Sequence, residues 1–548
     1  MPYAWSIPLA LFTLPFPGDP RGLQKTTPAA TPGYTLLAPL NSKSIHLVDA
    51  KGELAHTWNT AYPPGGVTRL LPNGHLLRSA QLPDPPRFHG GGIAGRIEEL
   101  DWDGNVVWSY ELATQERILH HDFDVLPNGH LLCIAWEYHS PDEVRSRGRA
   151  AKFVHEEGLW SDVLLEIAPK QPNGGDVVWS WRSWDHLVQD VDPKAPHYGV
   201  IADSPGRIDL NADHRYLPAE ETDEDRAKRE ALERQMRGLG YVGGGDPDAD
   251  DAKPRRAAPA KDGKDGDKRD GDHASDGKDS PDAARSNDAK HAGDGAGAPP
   301  QVPAGSTPPP AKDGAAPKKK SPVEADWLHM NAVSYLPEHD LLLVSTPHLS
   351  ELWVIDHSTT TAQAATESGG RWNHGGALLY RYGNAQNYGR GDASSRTLYY
   401  QHNPTWLRTE NPNELRVLVF DNGSKRPGKE FSRVAELVLP FDPKRGFVRE
   451  PDQPFGPKEL AWSYSDPEHF FSAFISGAER LANGNTLVCE GAKGRVFEVT
   501  REGEVLWDYW SPLGGDVEPS KHGGKAPPNA LFRATHVPAD HPGLRGKL

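Results

Sequence analysis

The sequence predicts an all-β fold: a six-bladed β-propeller carrying a long disordered insertion and one short surface helix. Three observations predict it: a recurring Pro-Asn-Gly turn, a recurring hairpin that feeds a tryptophan-bearing strand, and the spacing of these units. Val67-Thr68-Arg69-Leu70-Leu71 runs into Pro72-Asn73-Gly74-His75 and then Leu76-Leu77. The same order returns as His121–Leu126, Pro127-Asn128-Gly129-His130 and Leu131-Leu132, with the two turns 55 residues apart (Pro72 to Pro127). A period near 50 built from strands, turn glycines and tryptophan belongs to propeller blades, whereas helical solenoids repeat at shorter periods without strand alternation.

Taken in order, Gly33–Leu40 and Ser44–Asp49 alternate apolar and polar residues, the period of a half-buried strand. Asp49-Ala50-Lys51-Gly52 turns the chain into Glu53–Trp58. Ile97–Asp101, Asp103-Gly104-Asn105 and Val106–Tyr110 repeat that hairpin, and Leu164–Ile167 with Gly174–Trp181 repeats it again. At the far end Leu481–Leu487 carries Ala-Asn-Gly in place of Pro-Asn-Gly, followed by Arg495–Val499, Glu502-Gly503-Glu504 and Val505–Trp510. Between these ends Leu341–Val344, Glu351–Ile355, Gly375–Tyr382, Leu398–Gln401, Leu415–Phe420, Val434–Leu439, Glu459–Tyr464 and Phe470–Ile475 read as strands of less regular blades.

The propeller is expected over 33–520, interrupted by 190–325. Within the interruption, 221–242 reads as a surface helix with Thr222 as its cap and Asp223, Glu224 and Asp225 in the first turn. From Gly243 to Ala325 there is no Phe, Trp, Tyr, Leu, Ile or Met, so this Asp/Lys/Gly/Ala/Pro tract has too little apolar surface to offset its ordering entropy. Residues 1–32 form an apolar, Pro-broken segment without a basic start, read as a possible signal remnant. It leaves both an exported or periplasmic and a cytoplasmic location open, and is too short for a membrane span. Residues 521–548 read as a C-terminal tail.

A net charge of −16 argues against a nucleic-acid or anionic-membrane surface. Cys133 and Cys489 follow equivalent turns in different blades, and each is expected to be a buried free thiol.

Candidate chemistry gathers on three histidine segments: His120-His121-Asp122, Asp326-Trp327-Leu328-His329-Met330-Asn331 and Gln401-His402. In a propeller, inner strands and the loops at one end line a channel, so distant segments can meet there. A single strand histidine is ordinarily a hydrogen-bonded core residue, but three at matching positions need one another as partners. Metal binding fits imidazoles, yet no His-x-His or His-x₃-His pair is present in these segments and only Asp122 and Asp326 supply carboxylates. Nucleophilic catalysis fits as well, with one imidazole attacking, another protonating a leaving group and an Asn amide holding charged oxygens.

These segments resemble the motifs of the bacterial arylsulfotransferase family, enzymes that use no nucleotide sulfate donor. The resemblance runs from Gly33 to Pro512 and includes Glu351–Thr360, Leu379–Asn384 and Ser476–Glu490. It implies a ping-pong transfer of a sulfuryl group from an aryl sulfate to a phenol, without a cofactor or a metal. His402 is then the nucleophile, His329 and His121 the supporting catalytic histidines (His120 being the fallback), and Asn331 the oxygen-binding amide. Better-characterised members carry an arginine shortly after the His-x-Asn strand; here that run is Ser345-Thr346-Pro347-His348. His348, Arg381 and Arg480 are the candidates to hold the sulfate in its place. Two other functions stay open: a propeller that keeps the channel but only binds an anion or aryl ligand, and a metal-dependent hydrolase using the same histidines.

Overall fold

A computed structural model describes residues 21–215, 231, 324–515 and 528–548. Contacts divide the chain into two units, 1–246 with 321–548 and 247–320, and every element below belongs to the first. The apolar start 1–20, the expected disordered tract 243–325 apart from Glu324 and Ala325, and nearly all of the expected helix 221–242 lie outside the described residues.

The described chain is a propeller-like assembly of antiparallel sheets with few and short helices. One four-stranded sheet holds Ala332–Leu336, Leu341–Thr346, Glu351–Asp356 and Tyr380–Tyr382; another holds His402–Leu407, Arg416–Asp421, Arg433–Val438 and Trp462–Ser465. A third four-stranded sheet joins Leu531–Pro538 to Gly33–Pro39, Ser44–Asp49 and Leu54–Asn59. The fourth sheet runs Gly477–Arg480, Thr486–Glu490, Arg495–Val499 and Val505–Trp510, and Gly22–Thr26 adds a fifth strand at its outer edge.

The largest sheet has eight strands. It consists of two meanders, Pro64–Glu111 and Arg117–Arg182, joined where Gly66 faces His121 in a parallel bridge. The expectation of a six-bladed propeller with irregular middle blades therefore needs correcting: among the described residues hydrogen bonding yields three four-stranded sheets, one of five strands, one of eight and two of two strands. The cause is local. The backbone bulges where the Arg117–Val125 strand passes His121, and its peptide groups bond sideways to the neighbouring inner strand.

Two further expectations are corrected at the ends of the propeller. Residues 521–548 are not simply a tail: Leu531–Pro538 pairs with Gly33–Pro39 from Leu531↔Pro39 to Pro538↔Gly33, with Leu531 and Phe532 buried. Residues 1–32 likewise contribute a strand, since Gly22–Thr26 pairs with Val505–Trp510. In both cases an open sheet edge is covered, which satisfies backbone groups that would otherwise be exposed for association.

The repeated turns work as their sequences require. In each, the Asn side chain accepts the N–H two residues on: Asn73 from His75, Asn128 from His130 and Asn483 from Asn485, all at 3.0 Å. The glycines that follow have φ of 85°, 81° and 91°, where a side chain would be strained. The tryptophans of the outer strands clip one meander to the next. Trp108 Nε1 donates to Gly174 O at 3.0 Å, in a hairpin turn of the second meander of its sheet, while Trp462 Nε1 donates to Arg501 O at 2.7 Å and Trp507 Nε1 to Ala50 O at 2.9 Å, each in a hairpin turn of the following sheet. Cys133 and Cys489 are buried and free.

The inner strands contact one another in a closed circuit. Pro64–Leu70 touches Arg117–Val125, which touches Ala332–Leu336, then His402–Leu407, Gly477–Arg480, Leu531–Pro538 and back to Pro64–Leu70. This circuit places the starts of distant strands around one axis.

Candidate active site

Residues in or just before the inner strands carry unusual backbone. His121, His329, Tyr400, Asn403, Ile475 and Ser476 have φ of 53°, 54°, 59°, 49°, 50° and 88°. For non-glycine residues this left-handed region costs about 1–3 kcal/mol each and persists only where surrounding structure enforces it. Tyr400 and Asn403 flank His402 and break the pairing that Leu398–Gln401 was expected to make; the strand begins at His402 instead. His402 thus opens its strand, where sequence placed it after one.

Gln401 anchors this corner. Its side-chain amide donates to Glu351 O at 2.7 Å and Ser345 Oγ at 3.1 Å, and its carbonyl accepts from Asn331 Nδ2 at 3.0 Å. His402 is buried, with Nδ1 2.7 Å from Asn422 Oδ1 and 3.1 Å from Tyr400 O. The sense of the Asn422 amide is fixed because its Nδ2 donates to Ser472 O at 2.8 Å and Ile475 O at 2.9 Å. Oxygen therefore faces the ring, Nδ1 must carry the hydrogen, and Nε2 keeps its lone pair. Burial pushes the ring's pKa down to about 3 despite the Asn422 bond, and the charge of His329 pushes the same way, so His402 is neutral at pH 7.

His329 has the opposite setting. Its Nδ1 bonds to Asp326 Oδ2. Burial opposes charge on the ring, but the Asp326 carboxylate outweighs it and the pKa is raised. The carboxyl of Asp326 is correspondingly lowered: burial would raise it, and the His329 charge and hydrogen bond prevail. The Asp326 carboxylate thus occupies Nδ1 of His329 and favours the charged form of its ring.

His121 lies edge-on to His329, with ring centroids 4.5 Å apart. Gly92 packs flat on the ring; a Cβ there would fall 2.2 Å from its atoms, so only glycine admits His121 in this position. His120 Nδ1 is 2.7 Å from His121 Nδ1, and its ring stacks on Trp136 at 4.1 Å. Its Nε2 lies 3.1 Å from Asp162 Oδ1 but off the line of a good hydrogen bond. Burial lowers the pKa of His120 to about 3 and that of His121 well below the usual imidazole range.

The structure therefore brings His402, His329, His121, His120 and Asn331 together, with His348 stacked on His329 at 4.9 Å. Burial, then the charge of His329, lowers His348 to about 4, so it is a neutral ring and no cationic clamp. The other two sulfate-holding candidates are placed elsewhere. Arg381 is fully buried and spent on Glu351, at 2.7 Å, and on Arg207 O, at 2.7 Å. Arg480 pairs with Glu436 at 2.9 Å and bonds Thr486 Oγ1 at 2.7 Å on the wall of a cavity that the histidines do not line. Strand alternation reveals neither partner, which is why sequence reading misplaced both.

Asn422 and Arg533 are site residues that the sequence reading missed. Asn422 stands in Asp-Asn-Gly, which reads as a turn, and Arg533 in the segment taken for a tail. Arg533 reaches from the closing strand to Asp122, at 2.9 Å, and to Asn331 O, at 3.2 Å. Among the described residues no group of three or more His, Cys, Asp or Glu is placed to hold a metal ion, and no helix is long and apolar enough to cross a membrane.

The described chain is thus a propeller-like all-β fold with a strained, buried histidine cluster inside its ring of inner strands. The family model for arylsulfotransferase (ASST) matches residues 33–506, and the chain belongs to that family. Aryl sulfotransfer is the activity this membership supports, and aryl sulfates and phenols are the substrates that fit it. No curated protein matches the chain significantly. Solved structures similar to it include a protein of unknown function from Bacteroides caccae, at 10% identity over 92% of this chain and 98% of that one, TM-score 0.38. The periplasmic gluconolactonase PpgL of Pseudomonas aeruginosa is similar at 11% identity over 89% and 98%, TM-score 0.37. The Dos1 propeller is similar at 10% identity over 91% and 90%, TM-score 0.27.

Proposed function

We propose that the protein moves a sulfuryl group from an aryl sulfate to a phenol through a sulfohistidine formed on His402, with no nucleotide donor. The observation that carries this reading is the opposed setting of two neighbouring imidazoles. His402 is neutral with Nε2 as its lone-pair nitrogen, and the pKa of His329 is raised by Asp326, which favours its charged form. Two titratable groups whose environments push them apart are the arrangement of a nucleophile beside an acid.

In the first half-reaction Nε2 of His402 bonds to sulfur as the bond from sulfur to the aryl oxygen breaks. The departing phenolate takes the proton that His329 carries. In the second half-reaction an acceptor phenol attacks the sulfur, the nitrogen–sulfur bond breaks, and the phenolic proton returns to His329. The His402 ring is regenerated neutral. Protonation of a leaving group of pKa about 10 by a positioned acid contributes typically about 10²–10⁴-fold. Asn331 has one amide hydrogen committed to Gln401 O and the other available for a sulfuryl oxygen, so it acts as a donor to charge that spreads over those oxygens.

The test is trapping. The protein is incubated with 4-nitrophenyl sulfate without acceptor, digested under neutral conditions and read by mass spectrometry. The peptide bearing His402 is expected to be heavier by one sulfuryl group, and adding phenol is expected to discharge it as nitrophenolate accumulates. Steady nitrophenolate release with an unmodified His402 in every quench sinks the covalent route.

A further inference from the structure

We infer that Arg533, on the closing strand Leu531–Pro538, is an oxyanion-binding residue that holds the sulfate head of the substrate beside His402 and His121. This rests on the sulfuryl-transfer reading above and assigns that site its cation. Three observations converge on it.

The first is placement. Gly477 opens the neighbouring inner strand, and a Cβ built on it would lie 2.4 Å from Asn403 Oδ1 and 3.3 Å from Arg533 Cγ. Arg533 therefore threads a glycine gap next to the residue that follows His402. Its guanidinium then ends on Asp122 and on the carbonyl of Asn331, next in chain to His121 and within the His-x-Asn segment respectively.

The second is unused donor capacity. A guanidinium has five N–H donors in a planar fork suited to tetrahedral anions. Nη1 serves Asp122 and Nη2 serves Asn331 O, while Nε is buried with no hydrogen-bond partner among the described residues. Asp122 does not depend on Arg533 alone for its bonds, because it also accepts from the N–H groups of Phe123, at 2.9 Å, and Val333, at 3.1 Å. A buried unpartnered N–H on a cation calls for an explanation, and an anionic oxygen supplies one. The charge is also felt by the rings: after burial and the neighbouring histidines, Arg533 is among the influences that keep His121 and His402 deprotonated.

The third is access. His402 is 4% exposed and His121 0%, so neither offers an anion a path to the cluster. A cavity of about 1050 Å³ does reach Arg533, bounded also by Gly66, Asn403, Trp406 and Leu481. Its wall is mixed, with Trp406, Leu407 and Leu481 available to an aryl body beside charged side chains, and Arg533 links this cavity to Asp122 and Asn331 of the histidine segments. The other guanidiniums considered for this task, Arg381 and Arg480, are bound to Glu351 and Glu436.

The competing account is that Arg533 only neutralises Asp122. Calorimetric titration with inorganic sulfate separates the two without needing turnover. Wild type is expected to bind sulfate, R533Q to bind about 10- to 100-fold more weakly, the range of a lost charge-assisted contact, and R533K to fall between. The decisive chain is D122N/R533Q, which also covers the case that R533Q fails to fold, because it leaves no unpaired buried carboxylate. Sulfate binding as weak as in R533Q, with a raised KM for 4-nitrophenyl sulfate, supports the assignment. Wild-type sulfate affinity in the double variant, or no sulfate binding by wild type, overturns it. The two readings fail apart: normal sulfohistidine formation in D122N/R533Q ends this inference alone, and Arg533-dependent sulfate binding without any sulfation of His402 ends only the transfer reading.

Discussion

At Asn422 one amide decides which nitrogen of His402 can react. Its Nδ2 is committed to two carbonyl oxygens, so its oxygen requires a hydrogen on Nδ1. Replacing Asn422 by Asp keeps the size and reverses the logic. The carboxylate still accepts from Nδ1, but its charge stabilises the imidazolium, which has no lone pair on Nε2. It also faces the carbonyls of Ser472 and Ile475 with oxygen where a donor stood. Activity of N422D at pH 7 is expected to fall by about two to four orders of magnitude, as for loss of a positioned acid–base group, with the acidic limb of the kcat/KM profile moved toward neutrality. An unshifted profile beneath a lower plateau would assign Asn422 to packing alone. The same residue marks the limit of reading a site from sequence. His402, His329, His121 and Asn331 stand in segments specific enough to single out, whereas Asp-Asn-Gly has the composition of any turn. What makes Asn422 functional is a pair of carbonyls 50 and 53 residues away.

Among the elements, the strand Leu531–Pro538 does the most for its length. It closes the circuit of inner strands between Gly477–Arg480 and Pro64–Leu70, covers the edge of Gly33–Pro39 and delivers Arg533. Leu531 is fully buried against Leu37, Val48 and Trp507 of two sheets. Leu531→Ala is expected to destabilise the protein by about 2–5 kcal/mol in urea unfolding. Leu54→Ala, at a position 55% exposed in the same sheet, should change stability by less than about 0.5 kcal/mol. Equal and negligible effects would mean that the last strand is not part of the cooperative fold. The propeller character was legible because turn chemistry and tryptophan spacing are local signals, and the Asn-Gly turns fall where those signals place them. Closure was not legible. Leu531–Pro538 pairs with a strand nearly 500 residues earlier, as Pro39↔Leu531 shows, and carries neither the Asn-Gly turn nor the tryptophan that identifies the other units. Arg381 failed for a related reason: alternation along Tyr380–Tyr382 gives a face, and only the assembled sheets show that this face meets Glu351.

For the molecule as a whole, the cluster makes stability depend on pH in a window that identifies it. His120 and His402 are buried with pKa values of about 3, against about 6.5 for an unfolded imidazole. Between those values the unfolded chain binds protons that the folded chain refuses, so stability falls as pH falls, by about 1.4 kcal/mol per pH unit for each such ring. His121, His348, His139 and His186 are lowered by burial and add in the same direction. His329 acts oppositely: its pKa is raised by Asp326 against burial, so its contribution is complete below about 6.5 and is lost as pH rises through the raised value. Carboxyls raised by burial, Glu479 to about 7 and also Asp162, Asp122, Glu351 and Glu490, act in the same sense as His329. The lowered rings, which also include His197, His536 and His541, outnumber these groups among the described residues, and the net expectation is acid lability above the range where exposed carboxylates titrate, about 4. That separation matters for a chain of net charge −16, in which carboxylate protonation at lower pH also relieves repulsion. Urea unfolding at pH 7.5, 6.5, 5.5 and 5.0 is expected to show the midpoint falling steadily below about pH 6.5. His402→Gln, which removes one such ring, should reduce the slope by about one proton. A midpoint level across this window would mean that solvent reaches these histidines in the folded protein, and the assignment of His402 as a neutral buried nucleophile would fall with it.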